Sequence, residues 1–335
     1  MARPRPHLRR TELVRLSIII STWNSLRYLR ECLESISALT LQDFETIVVD
    51  SNSKDGTIEY VKQMAERNGK LGLRLITSSS RLMWSSANQI GLDISRGDWI
   101  CLSNPDIHFN ECFVKMLEYC HASGASVVAP QLIHPDGRPQ GPYPLTSPLV
   151  FLLRTHTAEF LAWKLFGKRP VYRLQYRWNG EQTLTIEHPV GSFFLVSRRT
   201  LLELGGRLWH PGYRIGVSDS DAFMNFKRRH IRIDLFPSCQ IVHYEGHRTL
   251  KDRTWVEYDT SYGIVLYFRY WRMRPALMTV VLAVEGFTSA AIDLLVKIVS
   301  PKSSVNARTR AWRAGQRWIG LVDGWRFKIR VERIP

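Results

Sequence analysis

Residues 46–57 read TIVVDSNSKDGT. Thr46–Asp50 is an apolar, β-branched run closed by an acid, which predicts a buried strand. Asn52–Gly56 is turn chemistry, and Thr57–Arg67 has helical character. The same alternation runs outward from this stretch. Upstream, LSIII (Leu16–Ile20) reads as a buried strand, and Leu26, Leu29, Leu33, Ile36 and Leu39 recur at helical spacing within Ser25–Leu39. Downstream come a strand at LRLIT (Leu73–Thr77), a helix at Ser85–Ser95, a strand at WICLS (Trp99–Ser103), a helix at Glu111–His121 and a strand at ASVVAP (Ala125–Pro130). Strands alternating with helices of this length predict an α/β fold with a mostly parallel sheet covered on both faces. Ligands of such sheets bind beyond the carboxyl ends of the strands. Three polar clusters therefore face one crevice: Ser21–Asn24, Asp50–Ser53 and Asn104–Asp106.

The second half is less regular. Residues 134–178 hold six prolines and read as loops. Ile186–Val196 predicts one strand, Arg199–Leu204 a helix and Ser220–Arg229 another, and Ile231–Pro237 and Gln240–Tyr244 two further strands. Beyond about Leu250, aromatic and basic residues dominate at helical spacing. The expected division is a basic N-terminal tail (1–15), an α/β domain (16–250) and a C-terminal helical, amphipathic extension (251–335).

The chain has 335 residues, is 44% hydrophobic and 23% charged, and carries a formal net charge of +16. It can fill a core, and its charge calls for an anionic partner: a nucleic acid, a phosphorylated substrate or an acidic membrane surface. The opening MARPRPHLRR holds four arginines and no acid, and residues 302–335 hold nine basic residues against two acids. Five cysteines without CxxC spacing predict reduced thiols and a cytoplasmic protein. The basic start leads into polar residues rather than an apolar signal segment. Pro275–Val284 is apolar but half the length of a membrane span. No oligomeric state follows from these features.

The acids carry the chemistry. Asp50 closes a buried strand, where an acid forms turns and caps or, in a nucleotide crevice, accepts from a ribose hydroxyl or base N–H. Neither GxGxxG nor GxxxxGK[ST] is present, which excludes the dinucleotide and P-loop patterns. Asp106, in Asn104-Pro105-Asp106, is either an ordinary turn acid or a ligand of Mg²⁺ or Mn²⁺, hard cations that take carboxylate and phosphate oxygens. Asp219 and Asp221 precede a helix; they cap it, or one deprotonates an acceptor hydroxyl. His243 ends a strand and is structural or a second metal ligand, with Glu245 and His247 as weaker candidates.

LSIIISTWNSLRYLRECLESI (16–36), TIVVDSNSKDGT (46–57), SSANQIGLDISRGDWICLSNPDI (85–107) and PVGSFFLVSRRTLLELGG (189–206) together resemble family 2 glycosyltransferases of the GT-A fold, in the branch that assembles bacterial polysaccharides. The resemblance implies a Rossmann-like fold and a metal-assisted, inverting transfer of a sugar from a nucleotide-diphosphate donor. Thr22 and Asn24 would lie by the nucleotide, Asp50 would hold its base or ribose, and Asp55, Asn88 and Asn104 would line the same pocket. Asp106 would ligate the cation, with His243 as second ligand, and Asp219 would be the base. Three positions depart from the family pattern. Asn104 replaces the first acid of the metal motif. Ser218 replaces the glutamate before the base. Arg81 and Met83 stand where the family has asparagine and glycine, and Arg81 can reach a phosphate. Asn104-Pro105-Asp106 is similar to rhamnosyltransferases of this family, a resemblance that favours dTDP-rhamnose as donor and leaves galactofuranose, fucose-type and other deoxysugar donors open.

Near the C-terminus, Trp312, Ile319, Val322, Trp325 and Ile329 share a helical face flanked by arginines. Such helices either pack on the catalytic domain or dock on an anionic bilayer. The resemblance implies the second, with a glycan or lipid-linked glycan acceptor at the inner face of the plasma membrane. Two competing classes are a catalytically degenerate glycosyltransferase-like scaffold and a basic nucleic-acid-binding protein. The second lacks any zinc-finger or RNA-recognition signature, so no nucleic-acid partner is expected.

Overall fold

The computed structural model describes residues 15–153, 182–213, 217–245, 253–299 and 307–326. The N-terminal basic tail, most of the proline-rich segment, His247 and the basic residues beyond 326 lie outside the described residues.

Strands β1 (Leu16–Thr22) and β2 (Phe44–Asp50) are buried along their whole length. That burial explains why both read as largely apolar runs: helices cover each face, and the buried Ser17 hydroxyl and Glu45 carboxylate are hydrogen-bonded to each other at 2.7 Å. β3 (Leu73–Thr77) and β4 (Trp99–Ser103) extend the parallel block in the order β3-β2-β1-β4. The sheet continues through antiparallel β9 (Phe193–Ser197) to β6 (Val127–Ile133), then to β10 (Ile233–His243) and finally β5 (Ile107–His108). Two short strands, β7 (Pro139–Gln140) on β6 and β8 (Leu184–Ile186) on β10, complete the ten described strands.

Helices α1 (Leu26–Ala38), α2 (Thr57–Arg67) and α4 (Cys112–Ser123) cover one face of the sheet, and their buried Leu29, Leu33, Ile36, Val61 and Phe113 share a core with Ile18, Ile20 and Val48. On the other face, α3 (Trp84–Ile94), the short α5 (Pro148–Leu153), α6 (Arg198–Glu203), α7 (Ser218–Arg228) and α8 (Arg253–Tyr270) surround a second core that contains Ile19, Ile47, Phe194 and Phe223. Two long helices follow, α9 (Pro275–Val299) and α10 (Ala307–Arg326).

Three sequence expectations change. The single strand expected over Ile186–Val196 is two strands, because Pro189 cannot donate to a ladder and the turn through Gly191 redirects the chain. The two strands expected over Ile231–Tyr244 are one, β10, whose pairing with β6 shifts register between Phe236 and Gln240; the irregularity absorbs Pro237. Leu266, Tyr267 and Phe268 of α8 are completely buried in the same core as the sheet, so the C-terminal helical extension packs on the α/β domain. Cys112 and Cys239 form a disulfide, while Cys32, Cys101 and Cys120 are free and buried, so the thiols are not all reduced as expected.

α10 packs on α8 through its small residues. Gly320 and Gly324 lie against the backbone of Tyr258 and Tyr262, and a side chain at either position would collide with it. Ile319 and Trp325, on the face expected from the sequence, remain exposed. Among the described residues no helix is long and apolar enough to cross a membrane.

Candidate active site

The parallel strands β1, β2 and β4 end at one edge, and their loops build the first half of the site. Thr22 and Asp50 are paired partners in the last register step of β1 and β2. Asp50 is completely buried beneath the turn that follows it; its Oδ1 accepts the Ser53 N–H at 2.9 Å, while Oδ2 has no hydrogen-bond partner. Thr22 Oγ1 and Asn88 Oδ1 are likewise buried and unpartnered. Asn88 sits on α3 and donates to Ser21 Oγ at 3.1 Å and to the Trp84 carbonyl. Three polar atoms are thus left buried and unmatched around the ends of β1 and β2, a costly arrangement.

Other predicted residues hold this crevice in shape. Asn24, at φ 46°, accepts the Lys54 N–H at 2.7 Å. Both oxygens of Asp55 are engaged: Oδ2 accepts the Leu26 N–H at the start of α1, and Oδ1 accepts from the backbone and hydroxyl of Thr57 at the start of α2. The acid thus ties together two helix N-termini, whose unmatched N–H groups favour a carboxylate, and Gly56 supplies the left-handed residue between them. Asn104 Oδ1 accepts the Trp84 indole N–H at 3.0 Å. Arg81 lies with its guanidinium 3.4 Å from the centroid of the Trp23 ring, a cation–π contact at the crevice rim.

The second half of the site comes from distant chain. Antiparallel pairing sets His243 opposite Ile107, which brings the imidazole to Asp106: Nε2 lies 3.4 Å from Oδ1. His243 Nδ1 is 2.7 Å from Gln140 Oε1, and the Gln140 amide nitrogen donates to the His243 carbonyl. That amide orientation leaves Nδ1 as the donor, so in a neutral ring the lone pair of Nε2 faces a carboxylate oxygen. Ser192 Oγ approaches the same Nδ1 at 3.4 Å, and its carbonyl accepts the Asn104 N–H. Next to Ser192 lies Gly191, on which Asp219 of α7 rests so closely that a methyl group there would come within 2.5 Å of its Cβ and Oδ2. The turn at Gly191–Ser192 therefore joins Asp219 to the Asp106–His243 pair. Asp219 opens on a pocket of about 280 Å³ lined also by Tyr143, Thr146, His188, Val190, Ser220 and Ile264.

Comparison with known proteins settles the family. The model of glycosyl transferase family 2 matches residues 17–202. The chain belongs to glycosyl transferase family 2. A "PGL/p-HBAD biosynthesis glycosyltransferase" of Mycobacterium bovis is 35% identical over 92 residues, 27% of this chain and 34% of that protein. The "Amylovoran biosynthesis glycosyltransferase AmsB" of Erwinia amylovora is 25% identical over 93 residues, 28% of this chain and 31% of that protein. The matched stretches thus span no more than about a third of these curated relatives. A solved mannosyltransferase from Pyrobaculum calidifontis, in complex with GDP-Man and Mn²⁺, superimposes with a TM-score of 0.52 at 17% identity, covering 94% of this chain and 88% of that one. At that identity the likeness shows the fold, which is GT-A.

The Asp106–His243 pair suits a divalent cation in this family 2 chain. A carboxylate oxygen and an imidazole lone pair facing each other repel unless a cation, a proton or a metal ion, lies between them. Among the described residues no cluster of three or more ligating side chains occurs, so the remaining ligands of such a metal would come from the diphosphate and water.

Sequence reasoning did not single out Gly191, His188 or Trp84, nor the true setting of Asp221. His188 Nδ1 donates to the Pro189 carbonyl at 2.6 Å, which leaves Nε2 to accept from Ser220 Oγ at 3.0 Å, beside the base candidate. Asp221 is buried and accepts from the His210 N–H and the Trp271 indole; burial pushes its carboxyl up to about 7. Glycine within a strand-like run was the available signal at 191.

Proposed function

We propose that the chain is an inverting, metal-assisted glycosyltransferase that moves a sugar from a nucleotide-diphosphate donor to a hydroxyl of a glycan or lipid-linked glycan acceptor. One observation carries this reading: Asp219, which lines a pocket, and the Asp106–His243 pair share the Gly191–Ser192 turn. The acceptor enters the pocket beside Asp219, and the donor lies along the strand ends.

In the transfer, Asp219 takes the acceptor hydroxyl's proton as its oxygen attacks the anomeric carbon. The bond from that carbon to the diphosphate breaks on the opposite face, and its electron pair leaves with the diphosphate, which inverts the centre. Asp50 Oδ2 and the unpartnered oxygens of Thr22 and Asn88 accept from the nucleotide. Asp106 and His243 would hold Mg²⁺ or Mn²⁺, which neutralises charge on the departing diphosphate. Rhamnose from dTDP-rhamnose is the leading donor, on the likeness of Asn104-Pro105-Asp106 to rhamnosyltransferases.

The C-terminal helices extend the proposal to an anionic membrane surface. Leu277, Val280 and Val284 recur on one face of α9 and are about half exposed, as are Trp318 and Ile319 of α10, with Arg272, Arg274 and Arg326 nearby in the chain. The proposed location is peripheral, on the cytoplasmic face of the plasma membrane. The Cys112–Cys239 disulfide argues for a more oxidising setting, and thiol labelling of the protein in intact cells decides between them.

A screen of sugar nucleotides for Mg²⁺-dependent binding and hydrolysis tests the activity. Asp219→Asn is expected to abolish turnover while donor binding stays; unchanged turnover, or no donor bound by the wild type, refutes the reading. Flotation with anionic liposomes tests the membrane; binding that survives Leu277→Ser/Val280→Ser/Val284→Ser refutes it.

A further inference from the structure

The family match ends at residue 202, yet the helix that carries Asp219 is held by residues well beyond it. Asp221, one step from Ser220 in the first turn of α7, faces inward. Its Oδ1 accepts the Trp271 indole N–H at 2.7 Å, and its Oδ2 accepts the His210 N–H at 2.8 Å. Trp271 directly follows α8. The same end of α8 braces the pocket, since the Tyr267 hydroxyl donates to the Thr146 carbonyl and the Tyr270 ring packs 4.9 Å from His210. Arg272 and Arg274 adopt left-handed backbone, φ 53° and 49°, which side chains other than glycine rarely hold without tertiary support.

Residues 219 and 221 lie on nearly opposite sides of a helical turn. One side is pressed against Gly191, the other hangs on Trp271 and His210. We propose that Trp271 is a positioning residue for the catalytic base: through Asp221 it fixes the rotation of the first turn of α7, and with it the direction of the Asp219 carboxylate. The C-terminal helical segment is therefore part of the catalytic unit as well as a docking element. This inference rests on the reading of Asp219 as the base.

The test uses the full chain with dTDP-rhamnose, or whichever sugar nucleotide the screen selects. Trp271→Phe keeps an aromatic ring and removes the indole N–H; Asp221→Asn keeps the shape and removes the charge. Each is expected to lower kcat about tenfold with donor Kd within about twofold of wild type, as a misdirected reacting group would. The double variant is expected to be no worse than either single, because both break one connection. A Trp271→Phe protein with wild-type kcat overturns the inference. So does a loss of kcat matched by an equal loss of donor affinity, or a double variant whose losses multiply. A wild type that turns over no donor, or an Asp219→Asn variant as active as wild type, brings down the functional reading first and this inference with it.

Discussion

Gly191→Ala tests the site by the smallest possible insertion. The added methyl would stand 2.5 Å from both Cβ and Oδ2 of Asp219. Carbon atoms in contact sit about 3.5–4.0 Å apart, so roughly 1 Å of displacement is required. Rotating the carboxylate relieves only the contact with Oδ2. The contact with Cβ persists, because Cβ moves only with the backbone of α7, and that helix is tethered on its far side through Asp221. Either the first turn of α7 or the Gly191–Ser192 turn must give way. A misplacement of about 1 Å costs on the order of 100-fold in rate, or about 2.7 kcal/mol of barrier. Overpacking costs a further ~1–3 kcal/mol of stability. Steady-state turnover, donor titration calorimetry and a thermal melt separate these effects. The expected result is a kcat reduced by about two orders of magnitude, donor affinity within a few-fold of wild type and a melting temperature lowered by a few degrees. A folded Gly191→Ala protein with wild-type kcat would show that Asp219 does not need its observed position, and the base assignment would fall with it.

Three further outcomes are expected. Burial raises the Asp221 carboxyl to about 7 from its ordinary 3.8, so between those values the folded chain keeps a proton the unfolded chain has released. The stability this gives is present below about pH 4 and is lost as pH rises toward 7, by up to ~4 kcal/mol; denaturant midpoints at pH 5 and 7.5 should converge for Asp221→Asn relative to wild type, and identical pH slopes would refute the assignment. Asp106→Asn and His243→Ala should each weaken Mg²⁺- or Mn²⁺-dependent donor binding about tenfold or more while leaving binding in EDTA unchanged, as read by calorimetry. The Cys112–Cys239 disulfide spans 127 residues; reducing it should cost about 2–5 kcal/mol, so a thermal melt unmoved by dithiothreitol would show that the bridge contributes nothing.

The parallel half of the sheet was legible because β1, β2 and β4 are buried on both faces. LSIII, TIVVD, LRLIT and WICLS stand out as short apolar runs, and β1 to β4 fall on them within one or two residues. The antiparallel half was less legible. Pro237 suggested a break, but β6 accommodates it by a shift of register, so β10 passes straight through. Pro189 and Gly191 suggested nothing decisive, yet there the strand does break. Periodicity cannot tell these two cases apart, because the neighbouring strand decides whether an irregularity is absorbed. Asp55 shows what local pattern leaves out: Asp55-Gly56 reads as an ordinary turn, and only the folded chain shows both its oxygens accepting at the starts of two helices. The meeting of Asp106 with His243 depends on the pairing of β5 with β10, and a two-residue strand leaves no periodic trace.

The two halves of the site differ in how they are assembled, and that difference accounts for where the family match stops. Thr22, Asp50, Asn88 and Asn104 lie within residues 17–202, at the ends of parallel strands or on the loop or helix that follows one. Each such loop is fixed by the strand before it and the helix after it, so its chemistry is written in a short stretch of sequence and can be matched as a pattern. Asp219, Asp221, His243 and Trp271 lie outside the match. Their positions depend on one another through the Gly191–Ser192 turn, the β5–β10 pairing and the indole of Trp271, contacts between segments far apart in the chain. A departure such as Ser218 in place of glutamate can be tolerated there, because Asp219 is oriented by what presses on α7 from both sides. The half of the candidate site inside the family match is therefore recognised from sequence, whereas the half beyond it is recognised from geometry.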